Sequence, residues 1–248
     1  MISSLAFIFL VFVHFSNAQQ CSTPQTLYNC YISYLGKYGV VPDDGYLPRS
    51  EFLLTQMTTH GLPVICKDFD ELTSCLGAAA TYCVSFNVFY SYASGSVILT
   101  LYFYKKFHLS RRDPQREALA YLQNHAFFEF ACGNGKDLFM NNIDCLQRSF
   151  EQVPLTNRMQ QCGQSSLVVS DNSCPATLEV TDCVRQQIVQ ACGASAGAAA
   201  CGAATNIERR LDFLDAACLT EMDARCSVCQ LQILTSVILL LIHRIIFS

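Results

Sequence analysis

The chain has 248 residues and a formal net charge of -4, with 51% apolar and 15% charged residues. So apolar a composition excludes an intrinsically disordered chain, and so weakly acidic a balance is far from that of a nucleic-acid binder. Fifteen cysteines point either to disulfides in an oxidising compartment or to a metal protein.

Residues 1–15 carry no formally charged side chain and include Leu5, Ile8, Leu10, Val11 and Val13. Ser16-Asn17-Ala18 then places small residues where a signal peptidase requires them, so 1–18 reads as a signal peptide, without the usual basic start. Every cysteine lies beyond it, and 19–229 forms one cysteine-rich helical region with two candidate subdomains, 19–149 and 160–229. Residues 38–48, with Gly39, Pro42, Gly45 and Pro48, read as a loop, and a helix is expected over 51–60. A short helix follows Asp68 through Phe69, Leu72, Cys75 and Leu76 and ends near Gly77.

Between Cys83 and Cys132 lie 48 residues, in which 97–110 is an atypical insertion. Its β-branched and aromatic run, Val97 to Tyr104, reads as a strand or loop insertion, its residue types also fit translated intron, and the uncharged stretch 84–104 has the length of a membrane span. The clearest helix comes next, with Asp113 as N-cap, Pro114 at the first helical position and Gly133 as terminator. Ala118, Leu122 and Ala126 share its apolar face.

A second helix is expected from Pro175 to Cys192, with Val180, Val184 and Ile188 on one face. Gly193 and Gly197 mark a break after it. A third is expected to start at a capping Asn206 and to run through Ile207, Leu211, Leu214 and Cys218. No side chain from Cys226 to His243 is formally charged, and the apolar tail 230–248 ends the sequence. Such a tail reads as a lipid-anchor signal with Ser227 as attachment site, as a short membrane anchor, or as a packed terminal helix. Attachment at Ser227 would remove Cys229 and leave an even number of cysteines.

The candidate structural cysteines are Cys21, Cys30, Cys66, Cys75, Cys83, Cys132, Cys145, Cys162, Cys174, Cys183, Cys192, Cys201, Cys218, Cys226 and Cys229. A zinc site needs repeated close ligand pairs, and only Cys226 and Cys229 are so spaced; disulfides are therefore expected, and no metal. Cys174, Cys183, Cys192 and Cys201 stand nine apart. Nine helical residues turn through about 900 degrees and reach the opposite face. A single helix carrying them would be clamped from both sides, so short helices stapled near their ends are preferred, stacked as hairpins in an all-α fold.

Catalytic constellations are thin. Past the signal peptide and before the tail, histidine occurs only as His60, His108 and His125, and His125 adjoins an apolar helix face. Asp43-Asp44 fits a loop, while Asp68, Asp70 and Glu71 fit the start of a helix, where negative charge suits the dipole. The stretch 193–202 lacks the lysine of a phosphate-binding loop, and Lys105-Lys106 with Arg111-Arg112 is too small a basic set for nucleic acid. No enzyme activity and no cofactor are expected.

Local texts also carry a likeness: Leu27-Tyr28-Asn29-Cys30-Tyr31-Ile32-Ser33-Tyr34; Cys66, Leu72-Thr73-Ser74-Cys75-Leu76-Gly77 and Cys83; Phe130-Ala131-Cys132-Gly133 with Asn141-Asn142-Ile143-Asp144-Cys145-Leu146; and the run Cys174, Cys183, Cys192-Gly193 and Cys201. Over 21–229 this framework resembles the uncharacterised secreted, cysteine-rich helical proteins of nematodes. The resemblance implies a helical extracellular fold and brings no catalytic or binding residue with it.

The sequence thus predicts a protein that is secreted or held on the extracellular face of the plasma membrane, binding an extracellular protein, glycan or matrix component; a saposin-like lipid carrier is the alternative. Amino-terminal sequencing of the mature protein is expected to start at Gln19; a chain that retains Met1 would refute the signal peptide.

Overall fold

The computed structural model of the chain describes residues 21, 24–40, 46–50, 53, 60–94, 113–150, 157–158, 161–162 and 173–227. Among them every regular element is a helix, and Tyr46 forms an isolated bridge. The helices are α1 (Pro24–Gly36), α2 (Leu62–Leu76), α3 (Ala79–Cys83), α4 (Phe86–Ser94), α5 (Pro114–Cys132), α6 (Lys136–Met140), α7 (Ile143–Phe150), α8 (Cys174–Cys192), α9 (Ala194–Leu211) and α10 (216–227). Seven disulfides join them: Cys21–Cys83, Cys30–Cys75, Cys66–Cys132, Cys145–Cys192, Cys162–Cys183, Cys174–Cys218 and Cys201–Cys226. The fold is all-α and disulfide-stabilised, as expected. The chain divides into two compact units, one of residues 1–49 and 71–119, the other of 50–70 and 120–248, and each bridge lies within one unit.

In the first unit, α1 buries Leu27, Cys30, Tyr31, Tyr34 and Leu35, steps of three and four that put them on one stripe. The helix closes with Gly39 in the left-handed region (φ 74°) and the Val40 N–H donating to the Leu35 carbonyl at 3.3 Å, a Schellman-type ending. Tyr31 meets Phe89 of α4 edge-on at 5.3 Å, and Tyr28 stacks on Tyr92 at 5.2 Å. The Tyr92 hydroxyl is buried and has no hydrogen-bond partner among the described residues, and burial, aided by Tyr28, pushes its pKa up to about 12.

The second unit is built on residues 120–132 of α5 and the α8–α9 hairpin. Asp113 caps α5 as expected, accepting from the Gln115 and Arg116 amides at 3.0 and 3.3 Å. Leu122, Ala126, Phe128 and Ala131 of this helix are buried. Gly193 (φ 88°) ends α8 at the predicted break.

Beyond Gly193 the chain departs from expectation. Residues 194–211 are helical, with Asn206 inside α9 rather than at a cap. The break falls at Asp212, in the left-handed conformation at φ 56°, and α10 is capped by Asp215, whose carboxylate accepts from the Cys218 amide at 2.8 Å. Alanine, the strongest helix former, carries the 194–204 stretch despite its glycines. The preference for short stapled helices is also corrected: α8 holds Cys174, Cys183 and Cys192 on one unbroken helix, bridged from opposite faces.

The membrane expectation is corrected as well: no helix among the described residues is long and apolar enough to cross a membrane. Within 84–104 the described residues form the nine-residue α4. Its Ser91 and Ser94 hydroxyls donate to the Val88 and Ser91 carbonyls. The atypical insertion 97–110 and the tail 230–248 lie outside the described residues, as does most of the helix expected over 51–60. The helix expected after Asp68 begins earlier, at Leu62, and ends before Gly77 as predicted.

Gly202 of α9 and Gly135 both approach the Phe130 ring, and a Cβ on either would sit 2.3 Å from a ring carbon. A side chain at either position therefore requires the ring to shift. Gly202→Ala is expected to destabilise by about 1–3 kcal/mol, and Phe130→Leu to recover part of that loss in the double variant. Urea denaturation of the three variants checks this, and additive losses would refute the contact.

Candidate functional site

The second unit carries an open groove of about 570 Å³ between α8 and α10. The Cys174–Cys218 bridge joins the two helices beside it, and Leu178, Leu214, Cys218 and Met222 form the apolar cluster beneath. α8 supplies Leu178, Glu179, Asp182 and Gln186 to the lining, and α10 supplies Glu221 and Arg225. Pro175 and Cys183 complete one wall, with Cys183 tied to Cys162.

Arg225 organises the charges. It donates through Nη1 to Asp182 Oδ2 and through Nη2 to Glu221 Oε1, each at 2.7 Å. Those hydrogen bonds, Glu221 first and Asp182 next, hold the guanidinium above its ordinary pKa. Arg185 approaches Asp182 from its own helix at 3.2 Å. The Glu179 carboxylate is exposed and makes no hydrogen bond or ion pair among the described residues. The groove thus offers one unpaired carboxylate and an amide beside a neutralised ion-pair chain. Its cysteines are oxidised, and its exposed Glu179 and Gln186 offer a charge and hydrogen-bonding groups to solvent.

A second polar cluster joins α5 to α9. Arg210 donates through Nε to Glu129 Oε2 at 2.9 Å, and through Nη2 to Glu129 Oε1. Asn206 Nδ2 donates to the Ala126 carbonyl at 2.8 Å and to Glu129 Oε2 at 3.1 Å. His125 lies one turn before Glu129 and is 2% exposed, its ring 5.0 Å from that of Phe69 on α2. Burial pulls the imidazole pKa down from 6.5 to about 4; Glu129 works against that shift and Arg210 adds to it. For Glu129, burial raises the pKa, but the Arg210 and Asn206 hydrogen bonds prevail and hold it below 4.5.

The structure pairs fourteen of the candidate cysteines, while Cys229 lies outside the described residues. Ser227 occupies the last described turn of α10, its hydroxyl donating to the Asp223 carbonyl. His125 packs in the core, as its place beside an apolar face predicted. Among the described residues no group of His, Cys, Asp and Glu has the geometry to hold a metal ion. The ion pairs of Asp182 with Arg225 and of Glu129 with Arg210 were not singled out in the sequence. The i,i+4 pair Glu221 and Arg225 was visible as a local signal; the cross-helix contacts depend on the disulfide pairing and the course of α9.

Comparison with known proteins gives no match: no family model, no curated protein and no solved structure is similar to this chain.

Arg210→Met is expected to destabilise by about 1 kcal/mol, allowing for solvent screening of a pair that is a quarter to a third exposed. The folded Glu129 pKa lies below 4.5, so the pair's contribution is present above that value and fades as pH falls through the folded pKa. Urea midpoints measured from pH 7 downward should show that acid limb in the wild type and lose it in Arg210→Met; an unchanged limb would refute the coupling.

Proposed function

We propose that the chain is a secreted, non-enzymatic binding domain whose α8–α10 groove engages an extracellular protein, glycan or matrix component. The observation that carries this reading is a solvent-open groove with a free carboxylate and an amide, on helices fixed by disulfides. A surface whose helices are covalently tied loses little conformational entropy when a partner binds. The apolar leader 1–18 and the disulfide-rich chain beyond it support export to an oxidising compartment. A lipid chain in the same groove would have to strip water from Glu179, Asp182, Glu221 and Arg225, which favours a polar ligand.

The test uses the full chain expressed through the secretory route and applied to arrays of glycans and of extracellular matrix proteins. Glu179→Lys and Gln186→Lys change exposed helix positions and should leave the circular dichroism spectrum intact. The expected result is a ligand retained by the wild type and weakened at least about tenfold by either change. Binding indifferent to both, or acyl lipid copurifying in stoichiometric amount, would overturn the reading.

A further inference from the structure

We propose that His125 is the trigger of an acid-sensitive latch, so that proton uptake by its imidazole releases α5 from α2 and α9 while the disulfides keep the opened chain tethered. The latch is a physical enclosure. His125 is 2% exposed, and its neighbours Ala126 and Phe128 on α5 are fully buried. Among the described residues the uncharged Phe69 ring of α2 faces it at 5.0 Å, and the charged groups that act on it are Glu129 of its own helix and Arg210 of α9.

The charge arrangement disfavours an imidazolium at this place. Glu129 is its one anionic neighbour among these, and that carboxylate is already held by Arg210 and Asn206. A second cation beside Arg210 can compete for Glu129 or leave the core. Competition weakens the bonds from Arg210 and Asn206 that join α9 to α5. Departure removes the ring that packs on Phe69 of α2. Competition loosens α9 from α5, and departure loosens α5 from α2.

The Cys66–Cys132 bridge sets the limit of the opening. Cys66 is one turn before Phe69 on α2, and Cys132 is two turns beyond His125 on α5. Reclosure is therefore intramolecular, and the change should be reversible.

Proton linkage gives the direction of the effect. An opened His125 titrates near 6.5 and the closed one near 4, so the open form binds more protons between those values. The closed state holds fully above about 6.5 and loses ground as pH falls toward 4. The difference allows the opening constant to rise by up to about 300-fold across that window. Glu129 acts at lower pH, below 4.5, and Glu208 acts in the opposite direction, since burial raises its pKa and its protonation favours the closed form. The His125 step is thus separable by its window and its sign.

The experiment uses the full, oxidised chain. Amide hydrogen exchange is followed by mass spectrometry between pH 7 and 4, corrected for intrinsic rates, in peptides from α5 and α9. Protection there should fall by one to two orders of magnitude in the wild type, recover on return to pH 7, and change far less in His125→Gln. Should that variant fail to fold, imidazole C2–H exchange in the wild-type peptide containing His125 decides instead. A midpoint well below 6.5, coinciding with the loss of amide protection, supports the latch. A midpoint at or above 6.5, or α5 and α9 protection that is the same at pH 7 and 4, overturns it, as does equal acid opening in a folded His125→Gln variant.

Discussion

The structure of the second unit rests on one helix being clamped from opposite sides. Three cysteines nine residues apart give α8 a bridge to Cys218 at its start, to Cys162 at its middle and to Cys145 at its end. Of its nineteen residues only Leu178 and Ile188 are buried. So little apolar burial on a helix this long supplies a modest hydrophobic contribution. Each bridge removes freedom from the unfolded chain, typically 2–4 kcal/mol for loops of this kind. Covalent closure here takes over part of what a packed face does in an ordinary helical domain, and that leaves the remaining face of α8 open to line a groove.

Similar ion-pair chemistry then acquires different meanings in two surroundings. At the groove, Arg225 is 42% exposed and sits between Asp182 and Glu221 in reach of water. Its pairs orient side chains and contribute little to stability. At the α5–α9 contact, Arg210 and Glu129 adjoin a core histidine that solvent hardly reaches. There the pair fixes the charge that an ionising neighbour would meet, so a local electrostatic arrangement becomes a constraint on helix packing. The proposed recognition belongs with the wetter cluster, and the proposed acid response with the drier one.

Legibility in the sequence tracks the range of each interaction. The start of α5 was readable because Asp113, Pro114 and the first turn are neighbours in the chain, and the predicted cap bonds are present. The Gly193 break was readable for the same reason. The course of α9 was not. Its alanines and glycines show no large apolar stripe, and its close packing depends on partners on other helices: Val189 of α8 against Gly197, and Phe130, seventy-two residues earlier, against Gly202. Asn206 looked like a cap because capping is the common local use of its side chain; instead it spans to α5, eighty residues earlier. The groove was illegible for a further reason, because Asp182 and Arg225 meet only once Cys174 has found Cys218.

Cross-linking and acid sensitivity also bear on one another. A protonated histidine in an uncross-linked core tends to convert local strain into global unfolding, since nothing restricts the opened chain. Here the bridges close loops of 21 to 66 residues and hold helix ends near their partners after the side chains separate. Loop closure is already made, so the entropy gained by opening is smaller and the return path shorter. The open ensemble is thereby confined to contacts that no disulfide spans. Between α5 and α9 those contacts include Asn206 with Ala126 and Glu129, Arg210 with Glu129, and the Phe130 ring against Gly202, because Cys132 of α5 is bonded to α2 and Cys201 of α9 to α10. The disulfide pattern thus selects which helix contact is free to yield, and the buried imidazole lies beside it.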